Sequence, residues 1–127
     1  PTAGETKNSI STLKKDYCYG GREKDKHSIS LLTPIFCLDD LVKKQKFIKP
    51  THIKIDVDGL EVLVLKGAKK LLSSGSVKSI VVEVNGQNLK DVEKILFSYN
   101  YKKKNEHVHN TGIYYTADIL FELWKKF

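Results

Sequence analysis

Between Thr51 and Ala68 the chain reads T-H-I-K-I-D-V-D-G-L-E-V-L-V-L-K-G-A, and its apolar positions change period at Gly59. Up to that glycine Ile53, Ile55 and Val57 alternate with His52, Lys54 and Asp56, the two-residue repeat of a pleated strand. Beyond it Leu60, Leu63, Val64, Ala68, Leu71 and Leu72 form one stripe at helical spacing, with Glu61, Lys66, Lys69 and Lys70 opposite. The change predicts a strand over 51–57 running into a helix over 59–72. Ser73-Ser74-Gly75 closes that helix, the glycine standing where a helix end favours positive φ.

Downstream, 78–84 reads K-S-I-V-V-E-V, a β-branched run of the kind buried in a parallel sheet. Strand, helix and strand with short connections make a βαβ unit. After a loop at Asn85-Gly86-Gln87, the positions Leu89, Val92, Ile95, Leu96 and Tyr99 mark a second amphipathic helix ending at Asn100. Residues 101–108 and 113–124 read as extended segments joined by a turn at His109-Asn110-Thr111-Gly112, although beyond Thr116 the pattern suits a strand and a helix alike. Upstream, 34–37 predicts a short strand, and Leu38-Asp39-Asp40-Leu41-Val42 a brief helix whose aspartates suit its positive N-terminus. Residues 1–32 are polar and aperiodic, and read as an irregular N-terminal segment of the same domain, with 33–127 as its α/β part.

Composition narrows the class. At 127 residues the chain is one domain, able to bury roughly two-thirds of its unfolded surface without disulfides or metals. Cys18 and Cys37 show no metal-ligand spacing and fit a reduced intracellular pair. No apolar run approaches the roughly 20 residues of a membrane span and no signal-peptide pattern opens the chain, so a cytoplasmic location is expected. The net charge of +7 comes from lysine, with Arg22 the only arginine. Nucleic-acid readers lean on arginine for bidentate contacts, so a solvated surface is expected and no nucleic-acid partner. The chain starts at Pro1 and contains no methionine, which suggests a piece of a longer protein.

Chemistry concentrates where the strand meets the helix, with Asp56, Asp58 and Glu61 close together. Open α/β sheets bind ligands at the carboxyl ends of their strands. Asp56 and Asp58 end one strand, Glu83 and Asn85 the next, and the period of two puts each pair on one face. Asp58-Gly59-Leu60-Glu61 also has capping-box spacing, so those two acids suit either a cap or a ligand. Asp56 lies inside the strand pattern, where a carboxylate needs Lys54 as partner or a ligand to serve. Glu83, in a more apolar run, is open to both readings. His52, His107 and His109 show no pairing by spacing and read as loop or strand-end residues. Lys102-Lys103-Lys104 reads as a solvated strand edge that discourages further pairing.

The run H-I-K-I-D-V-D-G-L-E-V-L-V-L-K-G-A followed by S-I-V-V-E-V resembles the signature of the FkbM-type S-adenosylmethionine-dependent methyltransferases. C-L-D-D-L at 37–41 is similar to that family's T-L-D-D-L, and Asn100-Tyr101 stands where it often has Gly-Tyr. The resemblance covers roughly 35–101. It implies a Rossmann-like α/β fold with a mostly parallel sheet and flanking helices, incomplete at its N-terminus. The glycine-rich strand-to-helix turn and the acidic ribose-binding strand end of such folds have no counterpart in the sequence, and Gly20-Gly21 opens no helix. The chain looks like the C-terminal half of such an enzyme. The resemblance further implies S-adenosylmethionine as cofactor, a small-molecule hydroxyl, such as one on a sugar, as acceptor, and no metal. It puts Asp56 and Asp58 in the catalytic role, Asp39 and Asp56 against the cofactor, and Glu61, Glu83 and Asn85 along the substrate.

Two other readings compete. Asp56-Val57-Asp58-Gly59 looks like the opening motif of haloacid-dehalogenase-type phosphatases, but Leu60 replaces their threonine and no later acidic pair follows. A half-domain that only binds or pairs, with an exposed sheet edge favouring a homodimer, is the non-enzymatic alternative.

Overall fold

The computed structural model describes residues 36–44 and 49–124. The elements are α1 (Leu38–Lys44), β1 (His52–Ile55), α2 (Glu61–Lys66), α3 (Lys69–Ser73), β2 (Ser79–Asn85), α4 (Leu89–Ser98), β3 (Tyr101–Asn110) and β4 (Thr116–Leu123). The strands form one sheet in the order β1-β2-β4-β3. The irregular segment expected over 1–32, Cys18 and the first half of the strand expected at 34–37 lie outside the described residues. Phe36 and Cys37, its second half, are not in a strand.

The sheet is mixed, not mostly parallel as expected. β1 runs parallel to β2, whereas β4 runs antiparallel to both neighbours, β2 and β3. The connection causes this: a parallel return needs a crossover of a dozen or more residues, and the short link from Asn110 to Thr116, with a 3-10 turn at Gly112–Tyr114, allows only a hairpin. β4 therefore turns back and enters between β3 and β2. β1, β2 and β3 all point one way, and their carboxyl ends share an edge with the start of β4. The same geometry resolves the ambiguous segment beyond Thr116 as strand, with Ala117, Ile119 and Phe121 wholly buried at a period of two.

The helix expected over 59–72 is two short helices. Its start is delayed because Asp58 and Gly59 both take positive φ, 51° and 96°, a left-handed turn incompatible with the first helical residues. Its middle is interrupted by Asp39. The Lys70 and Leu71 amides, which would have bonded back into the preceding turn, donate instead to Asp39 Oδ2 and Oδ1, both at 2.9 Å. The freed Gly67 carbonyl accepts from the Asp39 amide at 3.0 Å. An aspartate from α1 thus caps α3, a helix whose own N-cap residue, Ala68, has no side-chain oxygen. Asp39→Ala is expected to cost on the order of 1–2 kcal/mol of stability, read by urea unfolding, because it removes a cap and a tie between two helices.

One face of the sheet carries the core. Ile55, Ile80, Val82, Val84, Ala117, Ile119 and Phe121 cluster with Leu65, Leu71, Leu72, Val92 and Leu96 from the helices. Phe97 meets Phe121 edge to face at 6.3 Å, and the Tyr101 hydroxyl donates to the Val77 carbonyl at 2.9 Å. β2 was expected to be buried on both sides, but its alternate residues Ser79, Val81, Glu83 and Asn85 are only half-buried. This second face bears the polar side chains. Among the described residues no helix is long and apolar enough to cross a membrane.

Candidate functional site

The register lines up charged side chains across the second face at the shared edge. Ile55 pairs with Val82, so Asp56 stands level with Glu83; Glu83 pairs with Asp118, and Asp118 with His107. Asp56 forms an ion pair with Lys54 at 3.2 Å, both exposed. Hydrogen bonding to Asp56, before any other influence, holds the Lys54 ammonium above its ordinary range. At the other end His109 Nε2 lies 2.9 Å from Asp118 Oδ2. The row is therefore Lys54, Asp56, Glu83, Asp118 and His109, one acid on each of three adjacent strands or strand ends, with a lysine at one flank and an imidazole at the other.

Glu83 is pushed above the ordinary carboxylate range, first by burial, then by a hydrogen bond and charge repulsion from Asp56, then by the charge of Asp118, with His109 opposing. A carboxylate part-buried beside other acids keeps its proton more readily than one in water. The folded state therefore holds the proton more tightly than the unfolded chain, and stability is greatest below the unfolded carboxylate range and falls as pH rises through the higher folded value. Glu83→Gln is expected to melt above the wild type at about pH 7, with that gain shrinking towards about pH 4. An equal difference at both pH values would contradict the upward shift of Glu83.

Glu61 is drawn inward. It is 2% exposed, and Oε1 accepts from the Val57 and Gly59 amides at 3.3 and 3.1 Å while Oε2 accepts from Asn88 Nδ2 at 2.6 Å. Asn88 Oδ1 accepts in turn from the Asn85 amide at 2.8 Å, and Asn85 Oδ1 from the Gln87 and Asn88 amides at 2.9 and 3.1 Å. This chain clamps the turn after β1 to the turn after β2. The expected capping box does not form: Glu61 reaches back to the Val57 and Gly59 amides and not to that of Asp58, and Asp58 caps nothing, since the N-cap of α2 is Leu60, without a side-chain cap. The hairpin joins the clamp through the Gly86 amide, which donates to the Tyr115 carbonyl at 3.2 Å. The Tyr115 hydroxyl donates to Glu106, itself paired with Lys103 at 2.6 Å, and burial followed by Glu106 pushes the Tyr115 phenol up to about 12.

Of the residues named from sequence, Asp56 and Glu83 meet in the row, and Asp58 stands exposed on the adjoining turn. Glu61 and Asn85 hold the turns beneath, their side-chain oxygens already bonded to protein. Asp39 lies apart, with both oxygens on α3. A cleft of about 300 Å³ beside it, lined by Asp40, Lys43, Lys49 and Lys70 among others, shares no residue with the row. Asp118 and Asn88 carry no signal in the motif spacing, and His109 shows no partner there. The i, i+3 asparagines at 85 and 88 are the one local hint of Asn88; the other two depend on a hairpin register that no local pattern fixes. Among the described residues no group of three His, Cys, Asp or Glu could hold a metal ion.

The chain matches the Methyltransferase FkbM domain over residues 4–103, most of its length. It belongs to that family. The match reaches well upstream of 35, where the recognisable motifs begin, and takes in most of the segment read as irregular. The hexuronic acid methyltransferase AglP of Haloferax volcanii is 42% identical over 59 residues, 46% of this chain. Those residues are 24% of that protein, so the chain spans about a quarter of this relative. No solved structure matches the chain. Within the family, the strand K-I-D-V-D-G and the strand V-V-E-V are β1 with its turn and β2, and the motif's acids fall in the row and the clamp.

Proposed function

We propose that this chain is part of an S-adenosylmethionine-dependent O-methyltransferase whose acceptor hydroxyl, on a sugar or similar small molecule, sits against the acidic row. Family membership supports methyl transfer, and the observation that carries the acceptor's location is the juxtaposition of Asp56 and Glu83 where parallel β1 and β2 end, the edge at which α/β sheets hold ligands. The Haloferax relative, named for a hexuronic acid, makes a sugar acid a suitable first acceptor to try. The Rossmann-like arrangement of the complete domain is part of the same proposal.

S-adenosylmethionine supplies an electrophilic methyl group on sulfur. Its nucleoside is poorly served by the described residues: of the two expected cofactor contacts, Asp39 has both oxygens on backbone amides, which leaves Asp56 with its exposed carboxylate. What these residues do concerns the acceptor. Asp56 and Glu83 hydrogen-bond the acceptor beside its reacting hydroxyl and so fix the direction from which the oxygen attacks. In-line placement of this kind accounts for a large part of the barrier reduction in such displacements. The Glu61–Asn88–Asn85 chain keeps both strand ends in register while the acceptor binds, and Asp58 on its left-handed turn shapes the rim.

Pairing through the free edge of β3 is the weaker reading. That strand carries Lys102, Lys103 and Lys104 and two register shifts, devices that oppose strand addition. The test of the proposal is product analysis: the full-length protein, incubated with methyl-labelled S-adenosylmethionine and glucuronic acid or a neutral hexose, is expected to give a labelled methyl ether without added metal. Label that stays on the donor across sugars and other small hydroxyl acceptors would overturn it.

A further inference from the structure

We propose that His109 and Asp118 form the dyad that takes the proton from the acceptor hydroxyl, His109 as the base and Asp118 as the residue that positions it; the assignment rests on the methyltransferase reading above. Three observations converge. His109 Nε2 and Asp118 Oδ2 are 2.9 Å apart at the same edge and face as Asp56 and Glu83. β3 is irregular between Val108 and Asn110, so His109 lies outside the paired register, and bulges beside sites re-aim side chains in this way. Asp118 Oδ1 is enclosed and has no hydrogen-bond partner among the described residues, which leaves the whole of that carboxylate's directed bonding on the imidazole.

The chemistry follows from the bond. A carboxylate accepts only, so the neutral ring keeps its proton on Nε2 and presents the Nδ1 lone pair, which makes no hydrogen bond among the described residues. His109 is 39% exposed, open enough for a ligand to reach. Asp56 is less suited to the final proton, because its ion pair with Lys54 already engages it. In the transfer, the hydroxyl O–H bond breaks, its electron pair stays on oxygen and forms the new bond to the methyl carbon, and the proton moves to His109 Nδ1. The pair of the former methyl–sulfur bond remains on the sulfur of the methylsulfonium donor. The ring faces Asp118 from β4 and Glu83 from β2, with the His107 ring 5.0 Å away.

His109→Gln and Asp118→Asn in the full-length protein test the dyad, with glucuronic acid and methyl-labelled S-adenosylmethionine as probes. The expected result for His109→Gln is a fall in kcat of about 10²-fold or more, acceptor KM within about twofold, loss of the acidic limb of the pH–rate profile, and partial rescue by added imidazole. Long-range proton–nitrogen NMR of the unliganded wild type is expected to show the His109 proton on Nε2, and that preference is expected to be lost in Asp118→Ala, a readout independent of turnover. Circular dichroism separates a misfolded variant from an inactive one. A wild type that transfers methyl groups while His109→Gln keeps its rate and pH profile overturns the dyad and leaves the methyltransferase reading standing. A wild type that transfers none overturns both.

Discussion

Glu61→Ala is expected to destabilise the protein by about 3–5 kcal/mol, enough to leave a small domain largely unfolded at physiological temperature. The carboxylate is 2% exposed and accepts three hydrogen bonds. Its removal strands the buried Asn88 Nδ2 and takes the partner from the part-buried Val57 and Gly59 amides, and an unsatisfied buried donor costs about 1–3 kcal/mol. Glu61→Gln isolates the cause. An amide oxygen can still accept from the two backbone amides, but its NH2 group opposes that of Asn88, so an intermediate loss is expected in urea unfolding. A Glu61→Ala protein within about 1 kcal/mol of wild type would show that the clamp between the two turns contributes little.

Asp56→Asn should lower turnover by about 10²-fold or more in the full-length enzyme while the fold stays intact. The side chain is exposed, so its replacement leaves no cavity and its ion pair with Lys54 contributes little to stability. Lys54→Ala distinguishes two explanations. If Asp56 matters only as the partner of Lys54, the two variants lose activity equally. If it orients the acceptor hydroxyl together with Glu83, Asp56→Asn is far the more damaging, and steady-state kinetics at saturating acceptor reads the difference. Unchanged turnover in Asp56→Asn would reduce it to a structural residue.

Local periodicity is enough to encode most of the elements. The alternation through Ile53 and Ile55, the stripe from Leu60 to Leu72 and the spacing of Val92 and Leu96 each depend only on neighbours in the chain, and β1, the α2–α3 segment, β2 and α4 follow them. What the pattern leaves open depends on partners far away in sequence. Asp39 splits a helix about thirty residues downstream by replacing its backbone bonds, and no pattern around Gly67 announces that. The mixed sheet follows from where the hairpin enters, between β2 and β3, while Ile113 and Tyr114, 94% and 82% exposed on the connecting turn, blur the alternation that begins at Ala117.

The site divides along the same line. Acid spacing alone singles out Asp56, Glu83 and Glu61, and leaves open whether each serves a ligand or the fold. Burial separates them: Glu61 turns inward to the Asn88 amide, Asp56 stays at the surface, and Glu83 is pushed upward by its partial burial first and by Asp56 second. His109 and Asp118 are nine residues apart in sequence and come together only across an irregular antiparallel ladder, so no linear spacing could pair them.

The most direct test of the acceptor's location is amide NMR of the full-length protein titrated with glucuronic acid. The expected result is shifts concentrated at residues 56–59, 83–88 and 109–118, with the far end of the sheet around Ser79 and Leu123 unmoved. Shifts confined to the cleft around Lys43, Lys49 and Lys70, with the carboxylate row silent, would contradict it.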